Sequence, residues 1–246
     1  MSKRLIVAFS AFVVAGALVL ASPARAEGWE CELGFYGWFA GLEGTIGLGQ
    51  ATDVPVAATF SDLASYLDFA MAGYFEARKP KYIFDADISY VGLGATRPAY
   101  IDGSTVDVNL DFSQVVGELG AAYRVRPSFD VWLAGRLYTL DAGSSFQGST
   151  IRGGSLTWGD VYVGARYHTT FKTRWTASAR ADIGAGGSDL AWYGNATLGY
   201  KFTETFTLAA GYRVLSLDRE DGTGQDYYQW DVVQDGLGVA LQFALH

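Results

Sequence analysis

Alternation with a period of two residues runs through most of this chain. It demands β-strands whose two faces differ in chemistry, and a helix cannot satisfy it. Phe206, Leu208, Ala210, Tyr212 and Val214 alternate with Thr207, Ala209, Gly211 and Arg213. Trp175, Ala177, Ala179, Ala181 and Ile183 alternate with Thr176, Ser178, Arg180 and Asp182. The same pattern sets Tyr82, Phe84, Ala86, Ile88 and Tyr90 against Ile83, Asp85, Asp87 and Ser89. It also sets Trp192, Ala196, Leu198, Tyr200 and Phe202 against Tyr193, Asn195, Thr197 and Lys201. One face is oily and the other is small, polar or charged. The 31 glycines agree with this, because at that density a helical bundle would be costly.

Ten such segments are predicted, at 33–49, 67–79, 81–95, 105–126, 129–142, 157–171, 173–185, 190–202, 205–218 and 229–244. In the fourth, the apolar residues switch from even numbers (Val106, Val108, Leu110, Phe112) to odd ones (Val115, Leu119, Ala121, Tyr123) near Ser113-Gln114. A β-bulge would absorb that slip. The links alternate. Lys79-Pro80, Arg126-Pro127-Ser128, Phe171-Lys172-Thr173 and Thr203-Glu204 are minimal, whereas 50–66, 96–104, 143–156, 186–189 and 219–228 are mostly longer and rich in Gly, Ser, Asp and Thr. Short turns on one side and long loops on the other characterise an up-and-down transmembrane barrel, and an even strand number lets it close without an edge. The fold class expected is therefore all-β, an antiparallel up-and-down transmembrane β-barrel of ten strands, with eight as the alternative.

Two faces leave open which one is wet. Charged residues crowd one of them: Glu43, Glu76, Arg78, Asp85, Asp87, Glu118, Arg124, Arg136, Asp160, Arg166, Arg180, Asp182 and Arg213. In a soluble barrel that face would point outward. Two bands of aromatics favour the reverse. Tyr36, Trp38, Tyr82, Phe84, Tyr123, Tyr167, Trp175, Tyr200, Phe206 and Phe243 lie near the short-turn ends; Tyr90, Phe112, Tyr138, Trp158, Trp192 and Trp230 lie near the long-loop ends. Such bands match the two interfaces of a bilayer. The charged face is then expected to line the lumen as a network, with Arg124 beside the other twelve residues.

The N-terminus points the same way. Lys3 and Arg4 precede an apolar stretch from Leu5 to Leu20, and Ala24-Arg25-Ala26 supplies a small-x-small cleavage pattern. Residues 1–26 read as a cleaved secretory signal peptide, with the barrel over 27–246. Its removal leaves 15 basic against 26 acidic side chains, which does not suit nucleic acid. One cysteine, Cys31, excludes an intramolecular disulfide framework, and two histidines argue against a histidine-rich metal site.

Several stretches resemble small bacterial outer-membrane β-barrel proteins, broadly of the OmpA/OmpW type. They are Trp158-Gly159-Asp160, Val163-Gly164-Ala165-Arg166-Tyr167, the run from Asp182 to Asp189 with Trp192, Leu198-Gly199-Tyr200, Gly211-Tyr212-Arg213, and Asp231 with Gly236 and Gly238. Tyr74, Glu76, Ala77 and Arg78 resemble the second strand of the same group. The resemblance implies a Gram-negative outer membrane and no catalytic residue. One departure is the end, Phe243-Ala244-Leu245-His246, where such barrels commonly finish on an aromatic.

Candidate chemistry is sparse. His168 falls beside a short turn and His246 is the last residue, so neither reaches the outer rim where a barrel hydrolase would need its base. Asp85 with Asp87, and Asp182 with Asp189, are acid pairs better explained by arginine partners. Gly184-Ala185-Gly186-Gly187-Ser188 lacks the lysine of a phosphate loop and reads as a tight hairpin. The acidic run 218–226 lacks calcium-loop spacing. Residues 60–67 predict one or two helical turns with a serine cap, in the first outer loop. No catalytic residue, cofactor or metal is expected. The expected partners are outer-membrane lipid and the barrel-insertion machinery, and the role is structural or a small-solute pore. The alternatives are a surface-binding barrel acting through its loops, an outer-membrane hydrolase, and a soluble periplasmic ligand-binding barrel.

Overall fold

The computed structural model describes residues 28–101, 104–146 and 149–245. The leader at 1–26 and His246 lie outside the described residues. The strands are β1 (Glu30–Leu48), β2 (Ala51–Ala58), β3 (Leu67–Arg78), β4 (Tyr82–Ile101), β5 (Ser104–Arg126) and β6 (Phe129–Phe146). They continue as β7 (Ser149–Phe171), β8 (Trp175–Gly186), β9 (Leu190–Lys201), β10 (Phe206–Asp221) and β11 (Tyr228–Leu245). One short helix, α1 (Phe60–Ala64), joins β2 to β3.

Neighbouring strands pair in sequence order from β3 to β11, all antiparallel. The cylinder closes where β1 pairs with β11, from Cys31 opposite Leu245 to Leu48 opposite Tyr228. Ten strands thus form a closed wall, which keeps backbone hydrogen bonds inside the protein, as hydrocarbon requires. β2 is the eleventh strand. It turns back on the loop end of β1, with Leu42 opposite Ala58, while β3 pairs only with the short-turn end, up to Phe35 opposite Gly73. The second strand of the wall is therefore broken in two, and α1 fills the break.

The outer surface decides which face is wet. Leu119 is 71% exposed, Leu237 64% and Leu137 63%; Val161, Val163, Leu133 and Ile183 are also more than half exposed. A water-soluble surface does not carry a continuous belt of this kind, whereas a bilayer-spanning one requires it. Below the belt, aromatic rings follow one another around the short-turn rim. Phe171, Trp175, Tyr200, Phe202, Phe206 and Phe243 stand 5.0–6.5 Å apart in sequence of contact. Phe243 sits at the end of this ladder.

Four expectations are corrected. There is no bulge at Ser113-Gln114: the β4–β5 register runs unbroken from Tyr82 opposite Tyr123 to Ile101 opposite Ser104. Phe112 and Val108 stay on the lumen side because the apolar residues follow the interior, which changes from polar to apolar along the strand. The links 96–104 and 143–156 are largely strand, continuing the β4–β5 and β6–β7 hairpins. The loop-end aromatic band is mostly internal. Tyr90 and Trp192 follow the outward phase, but Phe112 stacks on Trp230 and Tyr138 stacks on Trp158 inside the barrel. Tyr36 and Trp38, assigned to the short-turn band, also point inward, in phase with Glu32. Finally, α1 is capped by Thr59 rather than a serine, and it lies against the outer wall, where Phe60 meets Phe39 edge to face at 5.1 Å.

Candidate functional site

The lumen is the one interior the fold creates, and its rows follow from strand register. Pairing places Arg166 directly opposite Arg180, and Glu76 directly opposite Asp85. Like charges side by side repel. The barrel resolves this by facing the basic column of β7–β8 toward the acidic column of β3–β4 across the lumen. Arg166 reaches Glu76 at 2.5 Å, and Arg180 approaches Asp85 at 3.8 Å.

Three linked groups result. Nearest the short turns, Arg78 joins Glu32 (3.1 Å) to Glu76, Arg166 joins Glu76 to Asp130 (3.0 Å), and Arg124 holds the other oxygen of Asp130 (3.0 Å). Higher up, Glu118 accepts from Arg136 Nε (2.7 Å) and Arg180 Nη2 (2.7 Å), and Asp182 lies 2.9 Å from Arg180 and 3.4 Å from Arg136. The third group is smaller: Arg213 Nη1 donates to the Tyr36 hydroxyl (2.7 Å), which donates to Asp87 (2.8 Å). Aromatic rings bind the groups together. Trp132 lies under Arg166 and Arg180, and Tyr193 touches Arg136, Arg180 and Arg213. A buried charge without a partner is expensive, so the pairing and stacking of each guanidinium accounts for its place in the interior.

Of the residues expected to form the network, Glu76, Arg78, Asp85, Asp87, Glu118, Arg136, Arg166, Arg180, Asp182 and Arg213 stand in these groups, as does Arg124. Two do not. Glu43 is exposed, in phase with outward-facing Phe35 and Phe39, because the polar residues of β1 change sides above the apolar belt. Asp160 is buried but apart: it accepts from the backbone N–H and the hydroxyl of Ser188, both at 2.7 Å, and so pins the tight β8–β9 turn. The aromatic members Tyr36, Trp38, Trp132, Tyr162 and Tyr193 matter as much as the charges. Their numbering phase is the signal that finds them, since Trp132 and Tyr138 share parity with Asp130 and Arg136.

Along its axis the lumen has two characters. Toward the loops it is filled by Tyr138, Trp158, Tyr162, Leu215, Leu217, Trp230 and Val232, all buried. At the boundary Gln114 and Gln234 exchange amide hydrogen bonds of 3.3 and 2.9 Å across the lumen. Toward the short turns lies a cavity of about 360 Å³, lined by the charged groups on one side and by Thr176, Ser178, Thr197, Ala209, Gly211 and Gly238 on the other.

His168 lines this cavity with Nε2 3.4 Å from Asp130, and Ser178 is opposite it in register, but no hydrogen bond joins histidine to serine. A nucleophile–base pair needs that reach. No cluster of three or more metal-ligating side chains occurs among the described residues.

No protein-family model and no curated protein matches the chain. Solved structures do. The outer membrane protease OmpT of Escherichia coli aligns with a TM-score of 0.50 at 8% identity, covering 90% of this chain and 98% of that one. Ail, the attachment invasion locus protein of Yersinia pestis, aligns at 0.39 and 11%, covering 88% and 99%. A FadL homologue of Pseudomonas aeruginosa aligns at 0.35 and 8%, covering 89% and 90%. Taken with the closed ten-stranded wall and its apolar outer belt, the fold shared with OmpT makes the chain a membrane-spanning β-barrel of the outer-membrane kind.

Proposed function

We propose that the protein is an occluded outer-membrane barrel with a structural role in the envelope: it occupies and braces the lipid layer without passing solutes through it. The observation that carries this reading is the packed loop-end half of the lumen, where Tyr138, Trp158, Tyr162, Leu215, Leu217, Trp230 and Val232 are buried against one another. Barrels of this size have room for side chains to fill the interior. Lipid is the partner that the outer belt fits, and the insertion machinery is the partner of its assembly.

Planar-bilayer recording of the refolded protein tests the proposal. Wild-type barrel is expected to give no steady conductance steps. Regular stepwise openings would replace this reading with that of a small-solute pore.

A second reading, binding at the cell surface, draws on the two hairpins that outrun the apolar belt. The β4–β5 pair extends to Ile101 and Ser104, and the β6–β7 pair to Phe146 and Ser149. Asp107, Asp111 and Asp141 are exposed on them. Shortening both hairpins should abolish any cell-binding phenotype while the barrel keeps its heat-modifiable mobility; a phenotype that survives the truncation removes this reading.

A further inference from the structure

We propose that the short-turn cavity is a binding site for a small organic carboxylate, and that Arg213 holds the carboxylate group. Arg78, Arg124, Arg136, Arg166 and Arg180 each have a carboxylate within 4 Å. Among the described residues that line the cavity, Arg213 is the arginine that has none. Its Nη1 donates to the Tyr36 hydroxyl, its Nε is buried with no hydrogen-bond partner, and Nη2 makes no hydrogen bond. One edge of the guanidinium fork is therefore unused, and its nearest carboxylate, Asp87, is reached only through the Tyr36 hydroxyl.

The surroundings fix the geometry. The rings of Trp38, Tyr193 and Tyr36 lie 4.6, 5.1 and 5.2 Å from the guanidinium carbon, so the planar group is clamped rather than free to swing toward a distant acid. A guanidinium held in place with Nη2 unbonded suits a carboxylate oxygen that approaches from the cavity. Space lies alongside it, because β9, β10 and β11 present Thr197, Ala209, Gly211, Gly238 and Ala240 to the lumen where the opposite wall presents long charged side chains. A Cβ added at Gly238 would meet nothing nearer than the Gly37 carbonyl oxygen, at 3.6 Å, an ordinary van der Waals distance. At about 360 Å³ the cavity falls within the size range of small-molecule sites.

The charge of the ligand follows from Asp87. It stands behind the Tyr36 hydroxyl, which links it to Arg213 through hydrogen bonds of 2.8 and 2.7 Å. A single negative charge on Arg213 is offset by the guanidinium, but a second would also feel Asp87. A carboxylate is therefore favoured over a doubly charged phosphate. The packed loop-end half leaves entry to the short-turn end, which in barrels of this topology faces the periplasm.

Isothermal titration of the detergent-folded full-length barrel tests the proposal, with sodium benzoate as probe and sodium phosphate as comparison. Wild-type protein should bind benzoate saturably and more tightly than phosphate. Arg213→Gln should weaken benzoate by roughly tenfold or more, the loss expected for a charge-assisted hydrogen-bonded pair. Gly238→Leu, which fills the cavity and keeps Arg213, should weaken it similarly, and Arg97→Gln, exposed at the loop end of β4 and away from the cavity, should leave it unchanged. Heat-modifiable mobility confirms folding for each variant. No saturable benzoate binding by folded wild type, tighter phosphate binding, or undiminished benzoate binding by both lumen variants would each overturn the proposal.

Discussion

The two halves of the lumen are built from the same inward-pointing positions of the same strands, yet one resembles the core of a soluble protein and the other a folded salt. β6 shows the change within one strand: Asp130 and Arg136 serve the charged half, then Tyr138 and Leu140 serve the apolar half. A barrel wall dictates which residues face inward but not what they must be. Lipid sets the outward face within the belt, while inside each level need only satisfy itself. Above the belt even the outward face is released, and Glu43, Asp111 and Asp141 appear on it.

The sharpest way to break the comparison is to damage each half and then attempt a repair by shape alone. Glu118→Ala removes one of the two carboxylates that Arg136 and Arg180 share and should cost about 3–5 kcal/mol. Trp158→Ala leaves a hole beside Tyr138 and should cost about as much, ~3–5 kcal/mol. The repairs should differ. Trp158→Phe should recover most of the loss, short of the 2.9 Å indole bond to Ser188, whereas Glu118→Leu should recover little despite filling the space. Urea unfolding followed by tryptophan fluorescence in detergent measures all four. Equal rescue in both halves would mean that packing alone holds the charged half.

The next largest effect separates inside from outside. Ala179 faces outward and Ser178 inward on β8. Ala179→Arg should cost roughly 2–4 kcal/mol in a bilayer, as for arginine on the lipid face of other barrels. Ser178→Arg enters the cavity and should cost less, through crowding near Arg180. Equal tolerance at the two positions, measured by folding into vesicles, would contradict the assignment of faces.

A smaller loss is expected at the boundary. Gln114→Leu removes one side of the amide pair and leaves Gln234 without that partner, for about 1–3 kcal/mol. Because the pair spans the lumen from β5 to β11, this variant should also loosen the division between the halves. Faster hydrogen exchange at Val232 than at Leu208 would register it.

Much of this was legible from residue order. Alternation, link asymmetry and the charged face predict a ten-stranded barrel with a charged lumen, because period two and turn chemistry are local properties. The aromatic filling was not legible from position along the strand. Phe112, Tyr138, Trp158 and Trp230 lie at the height of a membrane interface, and only their parity with neighbouring charges shows that they point inward. Charge alone misplaces Glu43, since the outer face stops being apolar above the belt, and parity does not reveal that Asp160 serves a turn. Nor could it place β2, whose pairing with β1 depends on a chain reversal at 49–50 and on the break filled by α1.

That break supplies the smallest expected effect, because α1 belongs to neither half. Thr59 and Asp62 form a reciprocal cap: the Asp62 carboxylate accepts from the Thr59 hydroxyl (2.6 Å) and the Thr59 backbone N–H (2.9 Å), while Thr59 Oγ1 accepts from the Asp62 N–H (3.3 Å). The hydroxyl hydrogen bond first, then the backbone one, holds the Asp62 carboxyl below its usual range. A carboxyl depressed in the folded state contributes stability above its unfolded pKa and loses it as pH falls through the folded value. Acidification should therefore fray α1 while both halves of the lumen stay closed, and the Leu63 amide, which donates to the Thr59 carbonyl at 3.1 Å, reports it. Asp62→Asn should show the acid-state exchange rate at neutral pH with no further change on acidification; a wild-type-like pH response in that variant would assign the fraying to the barrel wall instead.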